Sequence, residues 1–318
     1  MQILSNTKSF RGVFTALVTP FLPNGSIDWK SYEQLLERQL AAGIDGVVPC
    51  GTTGESPTLT SEEKRQLVEA TVKVCRGRCL VVAGTGSNDT VKTVKDSLAA
   101  CEAGADALLV VTPYYNKPSQ AGLEAHFRAV ADAVSAPVIL YNVPGRTNVS
   151  LTPSTVAKLA VHSRIVAIKE ATGNLALLME MKTAVAAAAP KKSFDFLSGD
   201  DPTFWPFLAS GGHGCISVAS NVLPRSLRMI YEDWNEGRIG SGLALHEKLA
   251  AFFNILFIEA NPVPVKTLLS WQKHMGADVR LPLAALMPES ATKLKQTWES
   301  LLPHLRDDRP REDIHGHG

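Results

Sequence analysis

Between residues 14 and 235, short apolar segments alternate eight times with amphipathic ones, and this pattern limits the possible folds most strongly. The apolar segments are rich in β-branched residues and occupy residues 14–19, 46–51, 79–86, 107–113, 137–144, 165–172, 194–200 and 214–220. Their starts are roughly 20–33 residues apart, the length of one strand–helix unit. Because these segments are almost continuously apolar, they indicate a parallel sheet covered on its outer face. We therefore predict an α/β fold, a (β/α)8 TIM barrel.

The segments between the strands carry helix signals. Asp28 is placed to cap the first helix, and Thr60 with Glu63 forms a capping-box pattern at the start of the second. Gly43 follows the first helical segment as a stop signal. The alternative is a doubly wound sheet, which usually has G-x-G-x-x-G after its first strand. That motif is missing there, and "AGTGSND" has Asp89 in place of the third glycine.

The domain organisation follows from where the strand pattern stops. After residue 222 the segments are helical, with no strand between them, which predicts a C-terminal helical extension. We assign residues 1–10 to an N-terminal segment, 11–222 to the barrel and 223–306 to the extension. Residues 307–318 are polar and have no apolar face, so we predict a disordered tail.

Charge and cysteine usage exclude several classes of protein. The 32 lysines and arginines balance 31 acidic residues, so no net field favours nucleic acid or an anionic membrane. The first ten residues have no apolar core of a secretory signal, and no apolar run approaches the length of a membrane span. The five cysteines are scattered without CxxC, which predicts reduced thiols and a cytoplasmic location. The histidines do not cluster with them, so a structural zinc site lacks ligands. The sequence also shows neither a phosphate-binding loop nor a carboxylate cluster for a divalent metal, so we expect neither a metal nor a cofactor.

A lysine at the end of an apolar segment is the main candidate for chemistry. In "IVAIKEATGN", Lys169 follows four largely apolar residues. It could extend its ammonium into water. Alternatively, loss of hydration could leave a neutral amine that attacks a carbonyl.

Other polar residues lie at the predicted C-terminal strand ends, where barrels of this type place their active sites. They comprise two adjacent threonines between glycines, three tyrosines and an arginine in a Pro-Gly loop: Thr52, Thr53, Tyr114, Tyr115, Tyr141 and Arg146. Hydroxyl and N–H groups can hold a carboxylate, tyrosines can transfer protons, and a guanidinium binds a carboxylate in a bidentate manner. The set indicates covalent carbonyl chemistry on a small substrate that carries a carboxylate.

Over roughly residues 10–300, the chain resembles the 4-hydroxy-tetrahydrodipicolinate synthase (dihydrodipicolinate synthase) family, in the superfamily of N-acetylneuraminate lyase and the class I pyruvate aldolases. The resemblance rests on "GTTGESPTL", "AGTGSN", "VTPYYNKPSQ", "YNVPGRT", "IKEATGN", "SGDD" and "NPVPVK". It implies a lyase without a cofactor that condenses pyruvate with L-aspartate 4-semialdehyde in lysine and diaminopimelate biosynthesis.

The resemblance also implies a role for each site residue. Lys169 would form the Schiff base, Tyr141 would be the neighbouring acid and base, and Arg146 would bind the semialdehyde carboxylate. Thr52 and Thr53 would hold the pyruvate carboxylate and relay protons, while Gly199 and Ile216 would line the pocket.

The resemblance further implies an oligomer. Tyr115 would enter the site of a neighbouring subunit, which requires a homodimer, and the family is commonly a homotetramer built as a dimer of dimers. Members inhibited by L-lysine carry a glutamate where this chain has Lys92, so we predict weak or absent inhibition by L-lysine.

Two alternatives remain open. One is another Schiff-base aldolase or lyase acting on a sugar acid or a hydroxy-oxo acid, against which Arg146 argues. The other is a non-catalytic binding protein, which would have no need of Lys169. Lys266, in "NPVPVK", is a rival lysine outside the strand ends. The family usually has glycine where this chain has Asn148, a residue that tolerates positive φ.

Overall fold

The computed structural model describes residues 9–305, and its eight strands form a closed parallel barrel in the order of the chain. The strands are β1 (Gly12–Ala16), β2 (Gly46–Val48), β3 (Leu80–Gly84), β4 (Ala107–Val111), β5 (Val138–Asn142), β6 (Ile165–Glu170), β7 (Asp195–Ser198) and β8 (Gly214–Ser217). β8 pairs with β1 and closes the barrel. The predicted TIM barrel is confirmed. The predicted disordered tail, 307–318, and most of the N-terminal segment lie outside the described residues.

Helices connect the strands and continue beyond them. They are α1 (Trp29–Ala41), α2 (Ser61–Cys75), α3 (Thr90–Glu102), α4 (Gln120–Ala133), α5 (Pro144–Thr147), α6 (Pro153–Ala160), α7 (Leu175–Ala188), α8 (Phe204–Ala209), α9 (Pro224–Asn235), α10 (Ile239–Ile255), α11 (Val263–Trp271) and α12 (Pro288–Leu301). The predicted caps are confirmed: Asp28 accepts the Ser31 N–H, and Thr60 forms a reciprocal capping box with Glu63. Among residues 9–305, no helix is both long and apolar enough to cross a bilayer.

Most strands end earlier than their apolar segments. β2 stops at Val48 and β6 at Glu170, whereas the predicted segments ran to 51 and 172. The first strand, Gly12–Ala16, also lies earlier than the predicted range 14–19. The reason is that the residues after each strand form buried loops: Val18 is 1% exposed, and its N–H donates to Asn221 Oδ1 at 3.2 Å. Apolar character there reflects burial outside the sheet.

The C-terminal extension joins the barrel through specific contacts. α9 packs on β1, while α10 packs on α9 and α12. Because α9 contacts β1, this helix could equally be counted with the barrel. The domain boundary at residue 222 therefore stays a prediction. Inside the barrel, an apolar cluster that includes Phe14, Ile139, Leu197 and Ile216 fills the space below the C-terminal strand ends.

Candidate active site

Lys169 is buried near the C-terminal end of β6. Only 5% of the residue is exposed, so the interpretation that it extends into water is wrong. In the sheet it pairs with Tyr141 of β5 on one side and with Leu197 of β7 on the other. Its Nζ lies 4.4 Å from the centroid of the Tyr141 ring. Within residues 9–305 it pairs with no carboxylate, so the lysine is buried without a counter-charge from this part of the chain.

Gly199 provides the space that Lys169 occupies. A Cβ atom at this position would lie 2.8 Å from Lys169 Cε and 2.6 Å from Ala171 Cβ. Both distances are shorter than a carbon–carbon contact allows. Ile216 on β8 is 1% exposed and belongs to the apolar cluster below the site. The lysine therefore lies in a slot between a glycine and a tyrosine ring, above a layer of apolar side chains.

A cavity of about 300 Å³ opens at the same end of the barrel. Tyr141, Thr52 and Arg146 line it, so it has a phenol, a hydroxyl and a guanidinium around one space. The volume is within the range of small-molecule sites. Tyr141 connects the cavity to the lysine, because its ring lies beside Lys169 Nζ.

The two threonines after β2 have different surroundings. Thr52 lines the cavity, whereas Thr53 is outside the cavity lining and 2% exposed. The Thr53 hydroxyl oxygen accepts a hydrogen bond from Asn261 Nδ2 at 2.9 Å. Of the two hydroxyls, Thr52 is therefore the one that shares a cavity with Tyr141, and proton transfer through Thr53 stays a prediction.

Arg146 lies on the short helix α5, is exposed and lines the cavity. Its Nη2 donates to the Asn261 carbonyl oxygen at 3.5 Å. Asn148 ends α5 with φ of 56°, in the left-handed region that asparagine tolerates. The departure from glycine therefore leaves the loop conformation possible.

Tyr115 does not join the other residues within one chain. It lies in the loop after β4 with φ of 73°, and 88% of the residue is exposed. Its neighbour Tyr114 lines the cavity instead. A large aromatic side chain held out in solvent on strained backbone is unusual, and such strain is typical of functional positions.

Sequence reasoning missed a buried charge network beside the site. Lys266 is 0% exposed, and its Nζ donates to Glu55 Oε1 at 2.7 Å and to the Thr19 carbonyl oxygen at 2.9 Å. Burial lowers the pKa of Lys266, although the Glu55 carboxylate opposes that shift. Glu55 follows the two threonines and has φ of 57°. A charge inside "GTTGES" was a signal, but its partner lies 211 residues away, too far to be identified from the pattern.

Two lysines that line the cavity share one carboxylate. Lys64 Nζ lies 3.4 Å and Lys92 Nζ 3.1 Å from Asp96 Oδ2. Both lysines line the cavity, together with Ser56. The two lysines and the single carboxylate therefore leave an excess of positive charge at the cavity wall.

Comparisons with known proteins agree with this geometry. The sequence profile of the Dihydrodipicolinate synthetase family matches residues 9–301. The 4-hydroxy-tetrahydrodipicolinate synthase of Leptospira biflexa serovar Patoc is 46% identical over 94% of this chain and 99% of its own length. The enzyme of the same name from Bdellovibrio bacteriovorus is 49% identical over 91% and 97%. The crystal structure of dihydrodipicolinate synthase from Aquifex aeolicus superimposes with a TM-score of 0.88 at 42% identity, covering 92% of this chain and 98% of that one.

Proposed function

The chain belongs to the dihydrodipicolinate synthetase family, and we propose that Lys169 is the amine that captures pyruvate in its reaction. The reaction condenses pyruvate with L-aspartate 4-semialdehyde to give 4-hydroxy-tetrahydrodipicolinate, a step in lysine biosynthesis. The observation that carries the proposal is a buried lysine that pairs with no carboxylate among residues 9–305, in a slot between Gly199 and the Tyr141 ring.

The first half of the mechanism is formation of the imine. Lys169 attacks the keto carbon of pyruvate through its amine nitrogen, which must be unprotonated for this step, and water leaves as the C=N bond forms. Tyr141 is adjacent to the amine, so its hydroxyl is suited to give and take the protons of the carbinolamine. Thr52 shares the cavity with Tyr141 and can pass such protons on. Loss of a methyl proton from the imine then gives an enamine.

The second half is carbon–carbon bond formation. The enamine carbon attacks the aldehyde of the semialdehyde, and the aldehyde oxygen takes up a proton. The amino group of the acceptor then displaces Lys169 from the imine carbon, which closes the ring and returns the free amine. Arg146 binds the carboxylate of the semialdehyde in this proposal, because a guanidinium and a carboxylate pair through two parallel hydrogen bonds.

The remaining assignments are part of the same proposal. Thr53 belongs to the site that binds the pyruvate carboxylate, and Ile216 belongs to the apolar cluster below the site. We infer that Tyr115 completes the site of a neighbouring subunit in a homodimer or homotetramer, which its exposure supports. A location in the cytoplasm fits a biosynthetic enzyme of this kind. Residues 11–222 form the catalytic barrel and 223–306 the extension in this proposal.

A coupled assay tests the function. Wild-type protein should turn over pyruvate with L-aspartate 4-semialdehyde and give little product with pyruvate and a panel of sugar aldehydes. Arg146→Ala should raise the KM for the semialdehyde roughly tenfold to a hundredfold while leaving pyruvate capture intact, since it loses a charge-assisted contact. Preference for a sugar aldehyde would contradict the proposal.

A further inference from the structure

Asn261, the first residue of "NPVPVK" and one to which the sequence assigned no role, connects the two substrate-binding groups. Its side-chain Nδ2 donates to Thr53 Oγ1 at 2.9 Å, and its backbone oxygen accepts from Arg146 Nη2 at 3.5 Å. We propose that Asn261 is a positioning residue for pyruvate: its amide orients the Thr53 hydroxyl so that the hydroxyl hydrogen points to the pyruvate carboxylate. The proposal rests on the proposed function of this site.

The contact with Thr53 is buried and joins distant parts of the chain. Thr53 is 2% and Asn261 5% exposed, and 208 residues separate them. Thr53 lies in the loop after β2, whereas Asn261 lies in the extension, just before α11. Water has little access to either group, so the partner that the protein supplies decides how the hydroxyl is oriented.

The chemistry of the two groups determines the direction of the hydrogen. A side-chain NH₂ group can only donate, so it occupies a lone pair of the Thr53 oxygen. The hydrogen of that hydroxyl must then point to another acceptor. An ionised carboxylate can only accept hydrogen bonds, and the carboxylate of pyruvate is such a group. The amide of Asn261 thus makes the Thr53 hydroxyl a donor toward pyruvate before pyruvate arrives.

The other atom of the amide supports this orientation. Within residues 9–305, Asn261 Oδ1 is buried and has no hydrogen-bond partner. If the amide were turned over, Oδ1 would accept the hydrogen of Thr53, and that hydrogen would no longer be available to a substrate. The chain thus leaves an acceptor unpaired and keeps the Thr53 hydrogen free, which is the arrangement that binding an anion requires.

Side-chain replacements separate the two contacts of Asn261. Asn261→Ala removes the amide but keeps the backbone oxygen that Arg146 contacts. The pyruvate concentration for half-maximal trapping by borohydride should rise about threefold to tenfold, the value of one hydrogen bond. The KM for L-aspartate 4-semialdehyde should change by less than about twofold, because its contact is retained.

A double-mutant cycle shows whether Asn261 acts through Thr53. In a Thr53→Val background, where the hydroxyl is gone, Asn261→Ala should add less than about twofold to the half-saturating pyruvate concentration. In a Thr53→Ser background, which keeps a hydroxyl, Asn261→Ala should have its full effect. If Asn261 only stabilised the fold, Asn261→Ala would lower the unfolding temperature equally in the wild-type, Thr53→Val and Thr53→Ser backgrounds.

Defined outcomes would overturn the inference. The inference is wrong if Asn261→Ala traps pyruvate at the same concentrations as the wild type. It is also wrong if Asn261→Ala raises the half-saturating pyruvate concentration as much in Thr53→Val as in the wild type. If Asn261→Ala fails to fold, Asn261→Asp serves, because its carboxylate only accepts and would take the Thr53 hydrogen; trapping like the wild type would again overturn the inference. Failure of the wild-type protein itself to trap pyruvate would instead refute the proposed function.

Discussion

Replacing Lys266 with methionine removes the ammonium of a buried ion pair between α11 and the loop after β2. The side chains of Lys266 and Glu55 are 0% and 1% exposed, and Nζ lies 2.7 Å from Oε1. Methionine keeps much of the apolar stem, so the main loss is the charge. The Glu55 carboxylate remains in place, since its Oε2 also accepts the Arg280 N–H at 2.9 Å. The variant therefore contains a buried carboxylate without its cation.

The magnitude follows from this burial. Removing one partner of a buried pair costs about 3–5 kcal/mol, because the remaining charge is neither hydrated nor compensated. For a chain of this length, a loss of that size should lower the unfolding temperature by about 4–8 °C. A second change, Glu55→Gln, removes the remaining charge. We expect Lys266→Met with Glu55→Gln to recover at least half of the loss.

Thermal and urea unfolding of the variants measure this effect, and an exposed pair provides the control. Lys293 and Glu289 on α12 also lie 2.7 Å apart, but their side chains are 55% and 82% exposed. Lys293→Met should leave the unfolding temperature unchanged, because water replaces the lost partner. Equal effects of the two substitutions would refute the reasoning from burial.

The same variant separates the two candidate lysines. At 25 °C, Lys266→Met should still capture pyruvate. In the wild type the Lys266 amine contacts Glu55 and Thr19 and does not belong to the site around Tyr141. A stable Lys266→Met protein that no longer captures pyruvate would assign the nucleophile to Lys266.

Three further predictions concern the slot, the buried histidine and the charged end of the cavity. Gly199→Ala should abolish pyruvate capture and lower the free energy of unfolding by about 1–3 kcal/mol, because the new Cβ overlaps Lys169; capture at wild-type level would contradict the close packing. Burial lowers the pKa of His126 from 6.5 to about 4, so between these values the unfolded chain binds a proton that the folded chain does not. The free energy of unfolding should fall as the pH drops through that window, and the fall should be shallower in His126→Gln by up to about 1.4 kcal/mol per pH unit; equal slopes would show that His126 is charged in the fold. Millimolar L-lysine near neutral pH should inhibit weakly or not at all, because Lys92 at the cavity repels an α-ammonium; half-maximal inhibition in steady-state assays below roughly a millimolar, where binding exceeds about 4 kcal/mol, would show that Asp96 or another group outweighs this repulsion.

The barrel and its lysine could be predicted from sequence because their signals are local. The spacing of the apolar segments indicates the length of the strand–helix unit. Lys169 is recognisable because it directly follows four largely apolar residues. Asp28 and Thr60 are similarly visible, since a cap and its helix are adjacent in the chain. Strand ends were less accurate, because residues such as Val18 are apolar in order to bury a loop.

The parts that could not be predicted depend on contacts between distant residues. Thr52 and Thr53 are neighbours in sequence, and only the position of Asn261 shows that the second hydroxyl is already engaged. Lys266 was predicted to lie outside the strand ends, and only the fold brings Glu55 to it. Tyr115 is 88% exposed in one chain, and its proposed role in a neighbouring subunit cannot be tested within that chain.

Peptide mapping after borohydride treatment with pyruvate tests the central claim most directly. Reduction of the imine fixes pyruvate on the lysine that formed it, and digestion followed by mass spectrometry identifies that lysine. We expect the mass of one reduced pyruvate on the peptide that contains Lys169, permanent loss of activity, and no labelling of Lys169→Ala. A label on the peptide that contains Lys266, or an active protein without any label, would contradict the assignment of Lys169 as the Schiff-base residue.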